Sequence, residues 1–366
     1  MAAGRWRLLG DRVRSQFDWP MVGTVLALCS VGMLMIASTT DTEMVQRQTL
    51  WLVVGLAVML VILAVDYHTW ASLALPLYIF SVIALGYTLL FGREIGGARS
   101  WIEMGPFNFQ PAELAKVATA LTMATFLSQR SGHHLGARNL VVLCVLAGVP
   151  FGLILLQPDM GTLLPFIPLL GTMAVVGGIR VRTLVILAVL VALVLPVVWT
   201  SVLQDYQKER LLTFLDPERD PHGSGYQVRQ SKIALGSGGL WGKGFFSGTQ
   251  GQLHFLPAQH TDFIFAVLGE EGGFLASAGV LALFLFLLQR CLLAAESSRD
   301  LLGIYLCLAL FSLLATQILF NIGVVTGMMP AAGTTLPLIS YGGSSLVSTL
   351  AALGLIMNVR IRRFVN

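Results

Sequence analysis

Apolar residues run along this chain in long blocks, each closed by a short polar break or one rich in glycine and proline. About 20 apolar residues in a helix cross the hydrocarbon core of a bilayer. Ten blocks reach that length. They predict ten transmembrane helices, at about 20–40, 48–65, 71–91, 111–129, 139–157, 160–179, 183–203, 272–294, 302–327 and 337–358. The break between the fifth and sixth is only Gln157-Pro158-Asp159-Met160-Gly161, so that boundary is soft. Glycine and proline inside the blocks are tolerated, because neighbouring helices satisfy the freed backbone. The pattern shows no internal repeat, no low-complexity tract and no soluble domain. Residues 1–366 therefore read as one all-α polytopic membrane domain.

Orientation follows from where lysine and arginine fall in the short loops. With the N-terminus inside, the inner side holds Arg5, Arg7, Arg12, Arg14, Arg130, Arg138, Arg180, Arg182, Arg290, Arg299, Arg360, Arg362 and Arg363. The short outer loops hold only Arg47, Arg93 and Arg99. Both termini are thus expected in the cytoplasm, and the one long polar segment, about 204–271, faces outward. Long loops translocate largely regardless of charge, so its own cations do not oppose this. Residues 1–19 are basic and amphipathic and lack a cleavage site of the A-x-A type. They read as a cytoplasmic interfacial segment leading into an uncleaved first span.

Composition narrows the classes. Hydrophobic residues make up 55% of the 366 and charged residues 11%, against roughly 25% charged in soluble proteins. The net charge of +4 reflects topology. No basic run with interleaved aromatics suggests nucleic acid as a partner. Cys29, Cys144, Cys291 and Cys307 all lie in apolar blocks without CxxC spacing and read as small hydrophobes.

Chemistry, if present, belongs on the outer surface. The segment HFLPAQHTDFIFAVLGEEGG (254–273) ends the long loop and enters a membrane helix. A carboxylate at a bilayer edge is costly unless paired or used, which singles out Asp262. Thr261 reads as an N-cap with Asp262 as the first helical residue. That position lowers a carboxylate pKa, whereas a general base near neutral pH needs a raised one. Burial or the nearby Glu270 and Glu271 could offset this. The competing reading is that Asp262 only complements the helix dipole.

At the start of the fourth span, Gln110-Pro111-Ala112-Glu113-Leu114-Ala115-Lys116 combines an ordinary helix start with Glu113 and Lys116 on one face. They read either as a cap plus local ion pair or as a functional lysine facing a cavity, since an ammonium is costly inside an apolar helix. Arg93, Arg99 and Trp101 in the outer loop 92–110, with Arg210, Arg229, Lys232 and Lys243 in the long loop, form an outward-facing pool of cations. Such residues suit a phosphate-bearing head group or simply meet lipid phosphates. In the long loop Tyr226, Ile233 and Leu240 recur every seven residues, the pattern of an amphipathic helix lying at the interface. Asp159 reads as the N-cap of the sixth span. Small polar residues at 337–345 either unwind a helix beside a cavity or serve packing.

No zinc site is expected: His133 and His134 are adjacent, and His254 and His260 are isolated. A magnesium or manganese ion held by one or two carboxylates and substrate phosphates would leave little trace in sequence. No P-loop, strand-borne GxGxxG or GxSxG is present, so no motif for ATP is seen.

HFLPAQHTDFIFAVLGEEGG, GYQVRQSKIALGSGGLWGKG, FQPAELAK, QPDMGT and PLISYGGSS occur in this order within the ten spans. Together they resemble the SEDS (shape, elongation, division and sporulation) family from about residue 18 to 358. GTQGQLHFLPAQHTDFIF, preceded by LLTFLDPERDP, is more similar to its rod-shape branch than to its division branch. The resemblance implies a peptidoglycan glycosyltransferase that polymerises lipid II at the outer face of the bacterial cytoplasmic (inner) membrane during elongation. It implies a class B penicillin-binding protein and other elongation-complex membrane proteins as partners. It also implies that the family's essential aspartate falls on Asp262 and its paired Glu and Lys on Glu113 and Lys116. Arg99, Trp101, Arg210, Arg229 and Lys232 are then expected to bind substrate. A lipid II flippase and a non-catalytic scaffold for the cross-linking enzyme are the alternatives.

Overall fold

The computed structural model describes residues 17–95, 98–104, 107–130, 134–202, 205–216, 219–220, 223–252 and 255–362. Nearly all of the expected interfacial segment 1–19, together with His133 and His254, lies outside these residues.

A helix occupies every predicted block. They are α1 (Trp19–Thr39), α2 (Thr42–Ala64), α3 (Tyr67–Ser72), α4 (Ala74–Phe91), α5 (Pro111–Ser128), α6 (Ala137–Leu156), α7 (Met160–Leu163), α8 (Phe166–Val176), α9 (Val181–Val197), α10 (Asp205–Leu215), α11 (Ser224–Ser237), α12 (Thr249–Gln252), α13 (Ile264–Ser297), α14 (Leu301–Thr326) and α15 (Gly343–Arg362). Among the described residues, eight helices are long and apolar enough to cross a membrane. The predicted fourth and sixth spans fall outside that group. The fourth is α5, which is less apolar because it carries Glu113 and Lys116, and the sixth is broken into α7 and α8.

Local chemistry sets the helix starts. Asp18 caps α1, accepting from the Met21 amide at 3.2 Å, and Asp300 caps α14 through Gly303 at 3.2 Å. Asp18 also takes Arg290 and Arg360, each at 2.7 Å. One buried carboxylate thereby ties α1, α13 and α15 together at the end carrying the inner-side arginines. Helix α5 is buried on nearly every side and packs against α4, α14 and α15. A helix surrounded in this way forms the axis of a bundle.

Three departures from the sequence reading matter. The loop 92–110, expected within an all-α chain, carries a three-stranded antiparallel sheet, β1 (Arg93–Ile95), β2 (Ala98–Met104) and β3 (Phe107–Phe109), in the order β1-β2-β3. Helix α11 packs on α13 and α14 through Gly225, Ser231 and Ala234. Small residues there let the backbones approach. Ile233 and Leu240, expected on one apolar stripe, are exposed, and Leu240 lies past the helix end. Finally, α13 is kinked at Gly273 (φ 68°, ψ −166°). The kink frees backbone groups, and residues 239–244 of the long loop satisfy them. Lys243 and Gly244 amides donate to the carbonyls of Glu270 and Glu271 at 3.0 Å, and the Phe274 amide donates to Gly239 at 2.9 Å. A Cβ on Gly242 would lie 2.1 Å from the Glu271 carbonyl oxygen, so only glycine fits there.

Candidate functional site

Asp262 lies two residues before α13. The helix N-cap is Phe263, so the expected cap at Thr261 is not formed. Instead the segment turns tightly on Ala258 (φ 51°). The Ala258 carbonyl accepts from the amides of Thr261, Asp262 and Phe263 at 3.2, 3.1 and 3.3 Å. A non-glycine residue at positive φ is uncommon and persists where its surroundings demand it.

Those surroundings hold the main chain. Asn321, buried in α14, donates one amide group to the carbonyls of Asp262 at 2.8 Å and Thr334 at 2.6 Å. The Ser340 hydroxyl donates to the Thr261 carbonyl at 2.5 Å, and the Tyr341 amide to the His260 carbonyl at 2.8 Å. Ser340 and Tyr341 of the PLISYGGSS segment thus cradle the HTDF turn. Gly333 (φ 73°) approaches the acid, and a Cβ there would sit 3.7 Å from Asp262 Oδ2. Gly161 meets the Gly333 carbonyl so closely that a Cβ would come within 2.2 Å of its oxygen. This backbone contact brings the start of α7, and with it Asp159, beside Asp262.

The electrostatics follow. Burial pushes the Asp262 carboxyl up to about 6, and the charge of Asp159 adds to this. A hydrogen bond from Thr261 and the Arg210 charge pull the other way. Asp159 is also raised, chiefly by burial and further by Glu113, against hydrogen bonds with Thr162 and the charge of Lys116. The conflict seen in the sequence therefore resolves towards a raised pKa, through burial and Asp159. Glu270 and Glu271 take no part: Glu270 binds Lys243 at 2.7 Å and Thr249 at 2.9 Å, and Glu271 accepts from Ser38 at 2.5 Å.

Glu113 and Lys116 form an ion pair at 2.8 Å, each 3% exposed. Ser348 of α15 donates to the other Glu113 oxygen at 2.8 Å. Lys116 is thus buried and paired within its own helix, and its charge is felt at Asp159. It acts on the site through charge and through the helix end it anchors. From that end Gln110 donates to Asp159 Oδ2 at 2.6 Å, while its amide donates to Ser344 at 3.0 Å. Asp159 is the N-cap of α7, as expected, accepting from Thr162 at 3.2 Å.

Of the expected substrate-binding cations, Arg210 on α10 comes to the site. It donates to the Ala331 carbonyl at 3.4 Å, and its charge is felt at Asp262. Lys232 lies over Gly327, the left-handed C-cap of α14. There its charge also complements the helix C-terminus. Arg229 is exposed on α11. Arg99 and Trp101 stay on the sheet, where Arg99 pairs with Glu94 at 3.5 Å and Trp101 is in register with Arg93, itself paired with Glu103. They are not brought to Asp262. Asn321, Ser340 and Gln110 were not foreseen. Asn321 could have been, since an amide inside an apolar span costs free energy unless it is bonded.

Among the described residues no group of three or more His, Cys, Asp and Glu could hold a metal ion. The acids here whose charges interact are Asp159 and Asp262, and a hard divalent cation at this site would need them together with phosphate oxygens and water.

The model of the FtsW/RodA/SpoVE cell cycle proteins matches residues 17–364. The chain belongs to this family. The peptidoglycan glycosyltransferase MrdB of Escherichia coli K12 is 39% identical over 349 residues, covering 94% of each chain. A solved peptidoglycan synthase complex, described for its structural coordination of polymerization and crosslinking, contains a chain with TM-score 0.83 and 37% identity over 96% of this chain and 99% of its own. The rod shape determining protein RodA of Thermus thermophilus superposes with TM-score 0.72 at 32% identity, covering 95% and 98%. These two solved relatives thus share the overall frame of this chain.

Proposed function

We propose that this chain is a peptidoglycan glycosyltransferase that polymerises lipid II during cell elongation, at the outer face of the bacterial cytoplasmic membrane. The observation that carries the reading is Asp262, an acid raised to about 6 at the mouth of a helix, beside the positive charge of Arg210. A base with a pKa close to neutral is the kind that general-base catalysis uses. In this reading the chain crosses the membrane ten times with both termini inside, and 204–271 lies outside. Its partner is a class B penicillin-binding protein, which cross-links the strands. The likeness to a chain of a synthase complex supports that pairing.

The growing strand, on its lipid pyrophosphate, is the donor. The 4-hydroxyl of an incoming lipid II attacks the donor's anomeric carbon with inversion. The new glycosidic bond forms as the bond to the pyrophosphate oxygen breaks. Asp262 takes the hydroxyl proton. Arg210 offsets the charge gathering on the leaving group, with Arg229 and Lys232 further along its path and Arg99 and Trp101 at the sheet rim. Asp159 keeps Asp262 basic. The Glu113–Lys116 pair, with Gln110, holds Asp159 in place. A divalent cation between Asp159 and Asp262, if bound, would add Lewis-acid neutralisation of the pyrophosphate.

The purified protein, alone or with its class B partner, is expected to form glycan strands from lipid II. No strands in either case, with lipid II crossing vesicle membranes instead, would replace this reading by the flippase. Because only unprotonated Asp262 accepts a proton, the rate is expected to rise with pH through about 6 and level off above. A flat profile across that range would remove Asp262 as the base. If the cation takes part, chelation slows strand formation and magnesium or manganese restores it; a rate insensitive to chelator removes the metal from the scheme.

A further inference from the structure

A groove of about 460 Å³ opens beside the loop that carries Asp262. One wall is the end of α1 and the start of α2, with Thr40, Asp41 and Met44; the other is the segment with Leu256, Gln259 and His260. Small-molecule sites span roughly 300–1,000 Å³, so the groove has room for a short run of sugars. Its walls are tied to the site. Gln259 donates to the Thr39 carbonyl at 3.1 Å, and the His260 carbonyl is held by the Tyr341 amide at 2.8 Å.

The surface chemistry is specific. Asp41 precedes α2, yet its side chain makes no capping hydrogen bond and is exposed. Burial lowers the His260 pKa, so its imidazole is neutral and offers one donor and one acceptor. Met44, 37% exposed, gives apolar surface, backed by the buried Leu256. Among the described residues no lysine or arginine lines the groove. Hydrogen-bonding groups alternating with apolar patches suit a polyol, whose rings present C–H faces between hydroxyls. An anionic head group would meet no cation here and would face the Asp41 carboxylate. The cation beside Asp262 is Arg210, which comes from a different neighbour, α10.

We propose that this groove holds the neutral sugars of the growing glycan strand next to Asp262. The proposal rests on the polymerase reading. In that transfer the donor's pyrophosphate sits at the reacting carbon, and the sugar backbone of the strand trails away without charge of its own, the carboxylates being carried on its stem peptides. An enzyme that adds repeatedly must keep hold of that trailing part between additions, and a cation-free polar groove does so without competing for pyrophosphate.

The experiment uses the full-length protein with its class B partner, lipid II as substrate, and two variants, Asp41→Ala and Met44→Trp. Neither residue touches the reaction centre. Strand length, the initial rate of lipid II consumption and thermal unfolding are measured together. Asp41→Ala should release strands about tenfold more often, the order expected for one lost charge-assisted hydrogen bond, and Met44→Trp, which narrows the groove, should also release them more often. Strands then shorten while the initial rate and the unfolding temperature stay near wild type. Strands of wild-type length from both variants overturn the proposal. So does a parallel loss of rate and length, which signals damage at Asp262 instead. Absence of strands from the wild-type protein overturns the proposal together with the polymerase reading beneath it.

Discussion

Asp262→Asn is expected to leave a folded protein that makes glycan strands from lipid II about 10²–10⁴-fold more slowly, the usual value of a general base. The substitution keeps the shape of the side chain and removes its capacity to take a proton. It should fold, because the anchors of this residue are main-chain groups: the Asp262 carbonyl is held by Asn321 and its amide by Ala258. It also removes the repulsion with Asp159 that helps raise the acid. Thermal unfolding should therefore stay at or slightly above the wild-type temperature. Strand synthesis at the wild-type rate from this variant would leave the chain as a scaffold for its cross-linking partner.

The second large effect concerns the closed pair in α5. Removing one member of a buried ion pair leaves the other charge unmatched and costs about 3–5 kcal/mol. Lys116→Met should accordingly unfold at a distinctly lower temperature than wild type. Glu113→Gln combined with Lys116→Met should recover most of that loss, since no bare charge is left. Strand synthesis should stay low in the double variant, because the charged pair no longer fixes the end of α5 from which Gln110 holds Asp159. Full recovery of synthesis along with stability would make the pair a structural fastener only.

Hydropathy located the helices because length and apolar content are properties of a segment alone. The acid was legible for a similar reason: a carboxylate at a span edge is anomalous wherever its neighbours turn out to be. What stayed hidden depends on contacts between distant residues. Asp159 was recognised as a cap, yet its effect on Asp262 requires the approach of Gly161 to Gly333. Lys116 carried a real signal, a charge in an apolar helix, but sequence could not say whether a cavity or Glu113 and Ser348 would receive it. The sheet at 93–109 escaped notice because two of its three strands are only three residues long. Helix α11 also packs on its neighbours through small residues, which hydrophobic periodicity does not register.

The turn around Asp262 is gripped through the carbonyl oxygens of Ala258, His260, Thr261 and Asp262. Every amino acid carries a carbonyl oxygen. Side chains along such a turn can be exchanged over generations while the frame that aims the acid stays put, provided a few donors survive opposite it. Inheritance here acts on a scaffold of main chain, with a small set of irreplaceable letters. Chains that agree at only 32% to 37% of positions can then superpose with TM-scores of 0.72 and 0.83. For a designer diversifying this enzyme, the useful template is the list of donors to the main chain together with the charged groups around Asp262.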